Sequence, residues 1–291
     1  MKCAACLLRA SYRCVLNFSK TISAPRGNAW PRIVKCSIDL PGLLCEWNRK
    51  WPMGIVMPNV LKGLLAVSVV MSCVAHAQTQ SRPAVVELFT SQGCSSCPPA
   101  EAYIGELAQH KDVLALAFHV DYWDDLGWKD PFSLAISTDR QRSYSTGVGR
   151  SSVYTPQVVI DGKDEFVGTD RRRIDGALAI ARTGVPLRVS LEREDVVVEL
   201  SAPERVAPSE VVLVAYLRKA TSSIGRGENA GRTLEEFNIV RGTRNLGRWD
   251  GNPATFRTRL TSLPRDATDV AVLVQSIGQH HVIGAVTQAL R

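Results

Sequence analysis

From residue 84 onward, apolar residues fall into alternating strand-like and helix-like patterns, and the kind of pattern changes once. Val85-Val86-Glu87-Leu88-Phe89 is a short β-rich run. Pro98 to about His110 carries Tyr103, Ile104, Leu107 and Ala108 at helical spacing. Val113–Val120 is apolar without interruption, as a strand buried on both faces requires. A second helix is predicted from Pro131 to about Thr146, then a strand Val158-Val159-Ile160 running into an Asp161-Gly162 turn and returning through Phe166-Val167. Asp170–Arg182 reads as a third helix, stopped by Gly184. The order β-α-β-α-β-β-α predicts a mixed sheet flanked by helices, an α/β domain.

At Val185-Pro186 the helical period disappears. Leu187/Val189/Leu191, Val196/Val198/Leu200 and Val212/Val214/Tyr216 each mark one face of a strand, and Asn238–Arg241, Thr255–Leu260, Val270–Ile277 and His281–Val286 are further candidates. About seven short strands separated by turn signals predict a β-sandwich-like second domain. The expected boundaries are 78–185 and 186–291. Gly225-Arg226-Gly227-Glu228-Asn229-Ala230-Gly231 is glycine-rich but lacks the Lys-Ser/Thr of a phosphate-binding loop, so it is expected to serve loop geometry only.

The first 77 residues have a different character. Lys62, the apolar stretch Gly63–Val74 and the small-x-small site Ala75-His76-Ala77 match the three parts of a secretory signal, expected over 53–77. A lipidated Cys73 is the weaker version of that reading. Residues 1–52 show no helical or strand period and are expected to be a non-native upstream extension, with Met53 or Met57 as the start. Ten Lys and Arg against two Asp and Glu lie in 1–77, leaving 25 basic and 26 acidic residues and a net −1 beyond them. The basic character of the chain thus belongs to the leader, and the rest offers no electrostatic case for nucleic acid or an anionic membrane. With the signal removed, no stable membrane span is expected, and the destination is periplasmic or secreted.

Cysteine usage sharpens this. Of eight cysteines, six lie within the first 73 residues, and the remaining two are Cys94 and Cys97 in Cys-Ser-Ser-Cys. One such pair reaches disulfide geometry across a helical turn and lacks the second pair of a four-thiolate zinc site. Placed between a strand and a helix N-terminus, Cys94 is expected to be exposed and held as thiolate by the free N–H groups there, with Cys97 one turn further in to resolve a mixed disulfide. A plain structural disulfide is the bland alternative in an exported protein.

Val85–Cys97 followed by Pro98, together with Tyr154-Thr155-Pro156-Gln157-Val158-Val159-Ile160-Asp161-Gly162, resembles the thioredoxin-fold thiol:disulfide oxidoreductases, and the likeness covers about Ala84–Gly184. The whole mature chain also resembles an uncharacterised secreted bacterial family with a thioredoxin-like half and a β-rich half. The resemblance implies that Cys94 attacks and Cys97 resolves. It implies that Pro156 is the cis proline facing the pair, and that Thr155 offers its backbone to a substrate. It also implies that Glu87 in the first strand is the buried acid taking the proton of the resolving cysteine, although Glu87 stands seven positions before Cys94, one more than the family spacing. The Ser-Ser dipeptide differs from better-known members, so their potentials do not transfer.

His119, in an apolar strand, is either a hydrogen-bonded core histidine or a neighbour of the thiols, where it joins Cys94 and Cys97 as a soft copper ligand. His280-His281 sit on opposite strand faces and are poorly placed to share an ion. Asp121, Tyr122, Trp123, Asp124 and Asp125 form an acidic-aromatic loop, and Arg171-Arg172-Arg173 the solvated start of a helix. The expected activity is exported thiol:disulfide exchange without a cofactor, acting on protein thiols and disulfides and served by an unidentified redox-recycling partner. Its rivals are a copper-binding assembly factor and a binding protein with a structural disulfide.

Overall fold

The computed structural model describes residues 80–147, 152–201, 206–278 and 280–290, so the signal and upstream extension lie outside the described residues. The chain enters through β1 (Gln80–Ser81) and β2 (Ala84–Thr90), crosses through α1 (Pro98–Leu107) to β3 (Val113–His119), and continues through α2 (Ala135–Gly147), β4 (Gln157–Ile160), β5 (Asp164–Val167), α3 (Arg171–Leu178) and β6 (Thr183–Gly184). β2 and β3 run parallel, from Ala84 opposite Val113 to Thr90 opposite His119. β4 lies antiparallel on the other side of β2, and β5 antiparallel to β4. The Asp-Gly turn forms as its sequence demands. Lys163 N–H donates to the Ile160 carbonyl, and Asp161 and Gly162 both take positive φ, 52° and 66°, the geometry that matches the twist of a hairpin.

Two helix boundaries differ from expectation. α2 starts at Ala135 rather than Pro131, because the Asp130 carboxylate accepts from Phe132 N–H and the Asp124 carboxylate from the Ser133 hydroxyl, which holds this stretch as turns. α3, N-capped by Asp170 onto Arg173 N–H, ends at Leu178, and Gly184 is not its cap: Thr183–Gly184 pair with β1 instead.

Beyond Val185 come β7 (Leu187–Glu192), β8 (Asp195–Leu200), β9 (Ser209–Ser223), β10 (Thr233–Trp249), β11 (Ala254–Arg259), β12 (Asp269–Ser276) and β13 (Val282–Ala289). β11-β8-β7 form a three-stranded sheet. The other four complete an eight-stranded mixed sheet in the order β13-β12-β9-β10-β3-β2-β4-β5. Its two halves meet where Ile239 of β10 pairs parallel to Ala117 of β3, beside Asn238, which takes φ +48° and donates from its side chain to the Ala115 carbonyl. The fold is therefore mixed α/β, dominated by one large sheet with few helices.

Three apolar layers hold it. Val86, Leu88 and Ala115 pack with Ala100, Ile104 and Ile174 on the α1/α3 face. Val85, Phe89, Phe118 and Tyr144 fill the α2 face and join Val214 and Leu273. Val189 and Val198 of the small sheet pack on Leu213 and Val272 of the large one. Among the described residues no helix is long and apolar enough to cross a membrane.

Candidate functional site

Cys94 and Cys97 are joined as a disulfide with Cα atoms 5.4 Å apart, in a turn between β2 and α1. Cys97 is the N-cap of α1, and its carbonyl accepts from the N–H groups of Ala100 and Glu101. Pro98 and Pro99 occupy the first helical positions, where a missing N–H costs nothing. The exposure expected of Cys94 is not found. Cys94 is 1% and Cys97 0% exposed, while Ser95 and Ser96 face solvent.

The cover comes from the second half of the chain. Asn229 Nδ2 donates to the carbonyls of Gln92 and Cys94, both at 2.9 Å, and the Glu228 carboxylate accepts from Ser95 N–H at 3.0 Å. Hydrogen bonding from the Ser95 side chain, with its N–H second, holds the Glu228 carboxyl below the usual carboxylate range. The glycine-rich segment Gly225–Gly231, the tip of the β9–β10 hairpin, thus lies against the cysteine turn. Gly227 packs on Trp128, which a Cβ at Gly227 would approach to 3.0 Å.

The Thr155–Pro156 peptide is cis. Trp123 links this segment to the cysteine turn: its indole N–H donates to Thr155 Oγ1 at 2.9 Å, and its Cβ lies 3.2 Å from where a Cβ on Gly93 would stand. The acidic-aromatic loop therefore contributes one aromatic wall, while Asp124 is used up on Asp130 N–H and the Ser133 hydroxyl.

Glu87 is not where the resemblance puts it. It is fully buried but shares the sheet face of Val85 and Phe89, opposite α1, and there it takes Arg140 Nε and Nη2 at 2.6 and 2.8 Å and the Tyr144 hydroxyl at 2.9 Å. Leu88, one residue nearer Cys94, packs with the α1 side chains, and neighbouring strand residues face opposite ways, so Glu87 points to the other face.

The carboxylate on the α1 face is Glu101, one turn into α1 and hydrogen-bonded by Thr90 at 2.6 Å. Burial pushes its pKa up to about 7, with Glu236 and Asp130 adding to the rise and His119 and Thr90 opposing it. His119 does not meet the thiols as a ligand. Its Nδ1 lies 2.7 Å from Asp130, its Nε2 3.8 Å from Glu236, and the donor group it forms with Glu101 and Glu236 contains no cysteine. The copper set Cys94, Cys97 and His119 is thus not assembled, because Asp130 fixes the imidazole toward the two glutamates. Burial would lower the His119 pKa, but Asp130, Glu101 and Glu236 outweigh it and raise it to about 9. Asp130 is lowered in turn: burial opposes ionisation, and the imidazole, with Gln92 and Phe132 N–H, prevails. His280 packs edge-on against Tyr144, with ring centroids 5.5 Å apart.

Sequence reasoning missed Gln92, Glu101, Asp130, Glu228, Asn229 and Glu236. One signal was available: Thr90 and His119 end the two central apolar strands, and a polar residue there needs a buried partner.

The family model described as "Protein of unknown function (DUF1223)" matches residues 85–275. No curated protein matches the chain. Among solved structures, protein AGR_C_4864 from Agrobacterium tumefaciens is similar at 29% identity over 74% of this chain and 97% of that one, with a TM-score of 0.63. HBP35 of Porphyromonas gingivalis, at 13% identity over 73% of this chain and 77% of that one, has a TM-score of 0.51, a likeness of fold alone. The chain belongs to the DUF1223 family.

Proposed function

We propose that this DUF1223 protein is an exported thiol:disulfide exchange protein built on a thioredoxin-like arrangement. The observation that carries the reading is the Cys94–Cys97 disulfide at the entry to α1 with a cis Thr155–Pro156 peptide tied to the same loop through Trp123. The strand order β3-β2-β4-β5, parallel then antiparallel, supports the fold. Export rests on the signal pattern of Met57–Ala77.

In the oxidised state a substrate thiolate attacks Cys94 Sγ, the Cys94–Cys97 bond breaks, and Cys97 leaves as thiolate at the helix N-terminus, where backbone N–H groups favour the charge. A second substrate thiolate then attacks the substrate sulfur of the mixed disulfide and releases Cys94. Two electrons pass to the pair and one disulfide forms in the substrate. Because Cys94 is covered, the Glu228–Asn229 contacts must release for the first step.

The burial of Cys94 favours a second reading, a shielded structural bridge. Equilibration with glutathione separates the two. A reduction potential between about −120 and −270 mV, with exchange activity lost in Cys94→Ala, is the expected result. A potential below about −300 mV assigns the pair to structure and removes the exchange reading.

A further inference from the structure

Three buried side chains from three distant elements converge behind the cysteine turn: Glu101 of α1, His119 at the end of β3 and Glu236 of β10, exposed by 3%, 0% and 1%. One donor atom from each lies within 4.8 Å of the other two. Two of the inward atoms, Glu101 Oε2 and His119 Nε2, have no hydrogen-bond partner among the described residues. Leaving such atoms buried and unsatisfied is costly, and more so for charged groups.

The opposite side of every one of these groups is held. Thr90 donates to Glu101 Oε1 at 2.6 Å. Asp130 Oδ2 already accepts from Gln92 N–H and its Oδ1 from Phe132 N–H, so the carboxylate faces His119 Nδ1 as acceptor and Nδ1 keeps its proton, and a cation binding at Nε2 displaces the proton there and takes its lone pair. Gln92 Nε2 donates to both oxygens of Glu236 at 2.9 and 3.0 Å, Ser222 donates to Glu236 Oε2 at 2.6 Å, and Trp128 fixes the amide by donating to Gln92 Oε1. A carboxylate behind an imidazole whose other nitrogen is free is the arrangement that orients a metal-ligating histidine. The charged groups acting on Glu101 are His119, Glu236 and Asp130, two anions and one imidazole.

We propose that Glu101, His119 and Glu236 are the three protein ligands of a site for one divalent first-row cation of the zinc type. One imidazole and two carboxylates suit a borderline cation, whereas the absence of thiolate disfavours Cu(I), and three ligands with one imidazole fall short of the oxygen shell that Ca²⁺ takes. Bond lengths of about 2.0–2.2 Å place ligand atoms about 3.4 Å apart, so side-chain movements of about 1 Å close the present separations. Occupancy neutralises both glutamates and ties α1, β3 and β10 together behind the thiols. The site does not depend on the exchange reading, since it uses neither cysteine.

The test uses the full chain with the Cys94–Cys97 disulfide intact, the other six cysteines alkylated, and metal stripped with EDTA. Zinc chloride is added and binding read by calorimetry and by elemental analysis after dialysis. The expected result is one zinc per chain, lost in Glu236→Gln and in Glu101→Gln, and weakened about 10–100-fold in Asp130→Asn. Should these variants fail to fold, Co²⁺ added to the unaltered protein is the second readout. Visible d–d bands without a thiolate charge-transfer band support the site. No binding by the oxidised protein, or equal stoichiometry and affinity in folded Glu236→Gln and Glu101→Gln, overturns it.

Discussion

Glu87 illustrates how one residue of spacing decides a role. A carboxylate in a central strand calls for a partner, and the family likeness supplies the resolving cysteine. The fold supplies Arg140 instead, on the opposite face, with Tyr144 and Gln275 completing the network through the same guanidinium. Burial opposes the Arg140 charge, and Glu87 overrides it, which drives the guanidinium pKa further up. Arg140→Met therefore strands a buried carboxylate and is expected to cost about 3–5 kcal/mol in urea unfolding. The pair Glu87→Leu and Arg140→Met together should recover much of that loss, since no buried charge is left alone. It should leave the reduction potential of the Cys94–Cys97 couple unchanged. A shifted potential in the folded double variant would return Glu87 to the redox machinery.

Among the elements, α1 matters most, because it carries Cys97 and Glu101 and is clamped from both sides. Below it lie Val86 and Leu88; against its flank lies Phe237 of β10, whose ring would stand 2.5 Å from a Cβ on Gly105. Alanine at a mid-helix glycine normally gains about 1 kcal/mol. At Gly105 the added methyl would stand 2.5 and 2.6 Å from two Phe237 ring carbons and 3.2 Å from its Cγ, so the ring must shift, and overpacking costs about 1–3 kcal/mol. Gly105→Ala is thus expected to lower the urea midpoint, and the same change in a Phe237→Ala background to raise it. A stabilised single variant would mean that β10 does not hold the helix. The clamp also marks the limit of what was legible in the chain. β2, β3, α1 and the Asp161-Gly162 turn could be read because period and turn chemistry are local. β9 and β10 run far beyond Val212–Tyr216 and Asn238–Arg241 because their outer parts carry residues such as Arg218, Lys219 and Glu235, whose strand state comes from a ladder with a distant partner. The cysteine pair was visible for its spacing, whereas Glu101, His119 and Glu236 are joined only by the crossing of β10 onto β3. Glu228 and Asn229 stayed hidden for the same reason, in a loop whose glycines said only that it turns.

At the scale of the whole molecule, the change of pattern at Val185 does not end the large sheet: β9, β10, β12 and β13 extend it, while β7, β8 and β11 form the smaller one. The helix-flanked strands and the β-rich strands share the ladder through Ile239 and Ala117, and the Asn238 side chain closes on the Ala115 carbonyl. Gln92 to Glu236 and Asn229 to Cys94 cross the same boundary with buried hydrogen bonds. The layer containing Phe89, Phe118, Val214 and Leu273 is likewise common to both halves. Separating them would expose the β3 edge, leave these polar groups without partners and split the shared layer, although each half keeps one apolar layer of its own. The expected consequence is a single unfolding transition for residues 78–291, with far-UV circular dichroism and tryptophan fluorescence coinciding in urea, Trp123 and Trp128 reporting on one half and Trp249 on the other. A fragment ending at residue 185 should be poorly folded and prone to associate through β3. Two separated transitions, or a soluble and cooperatively folding 78–185 fragment, would show that the crossing of β10 onto β3 carries little of the stability.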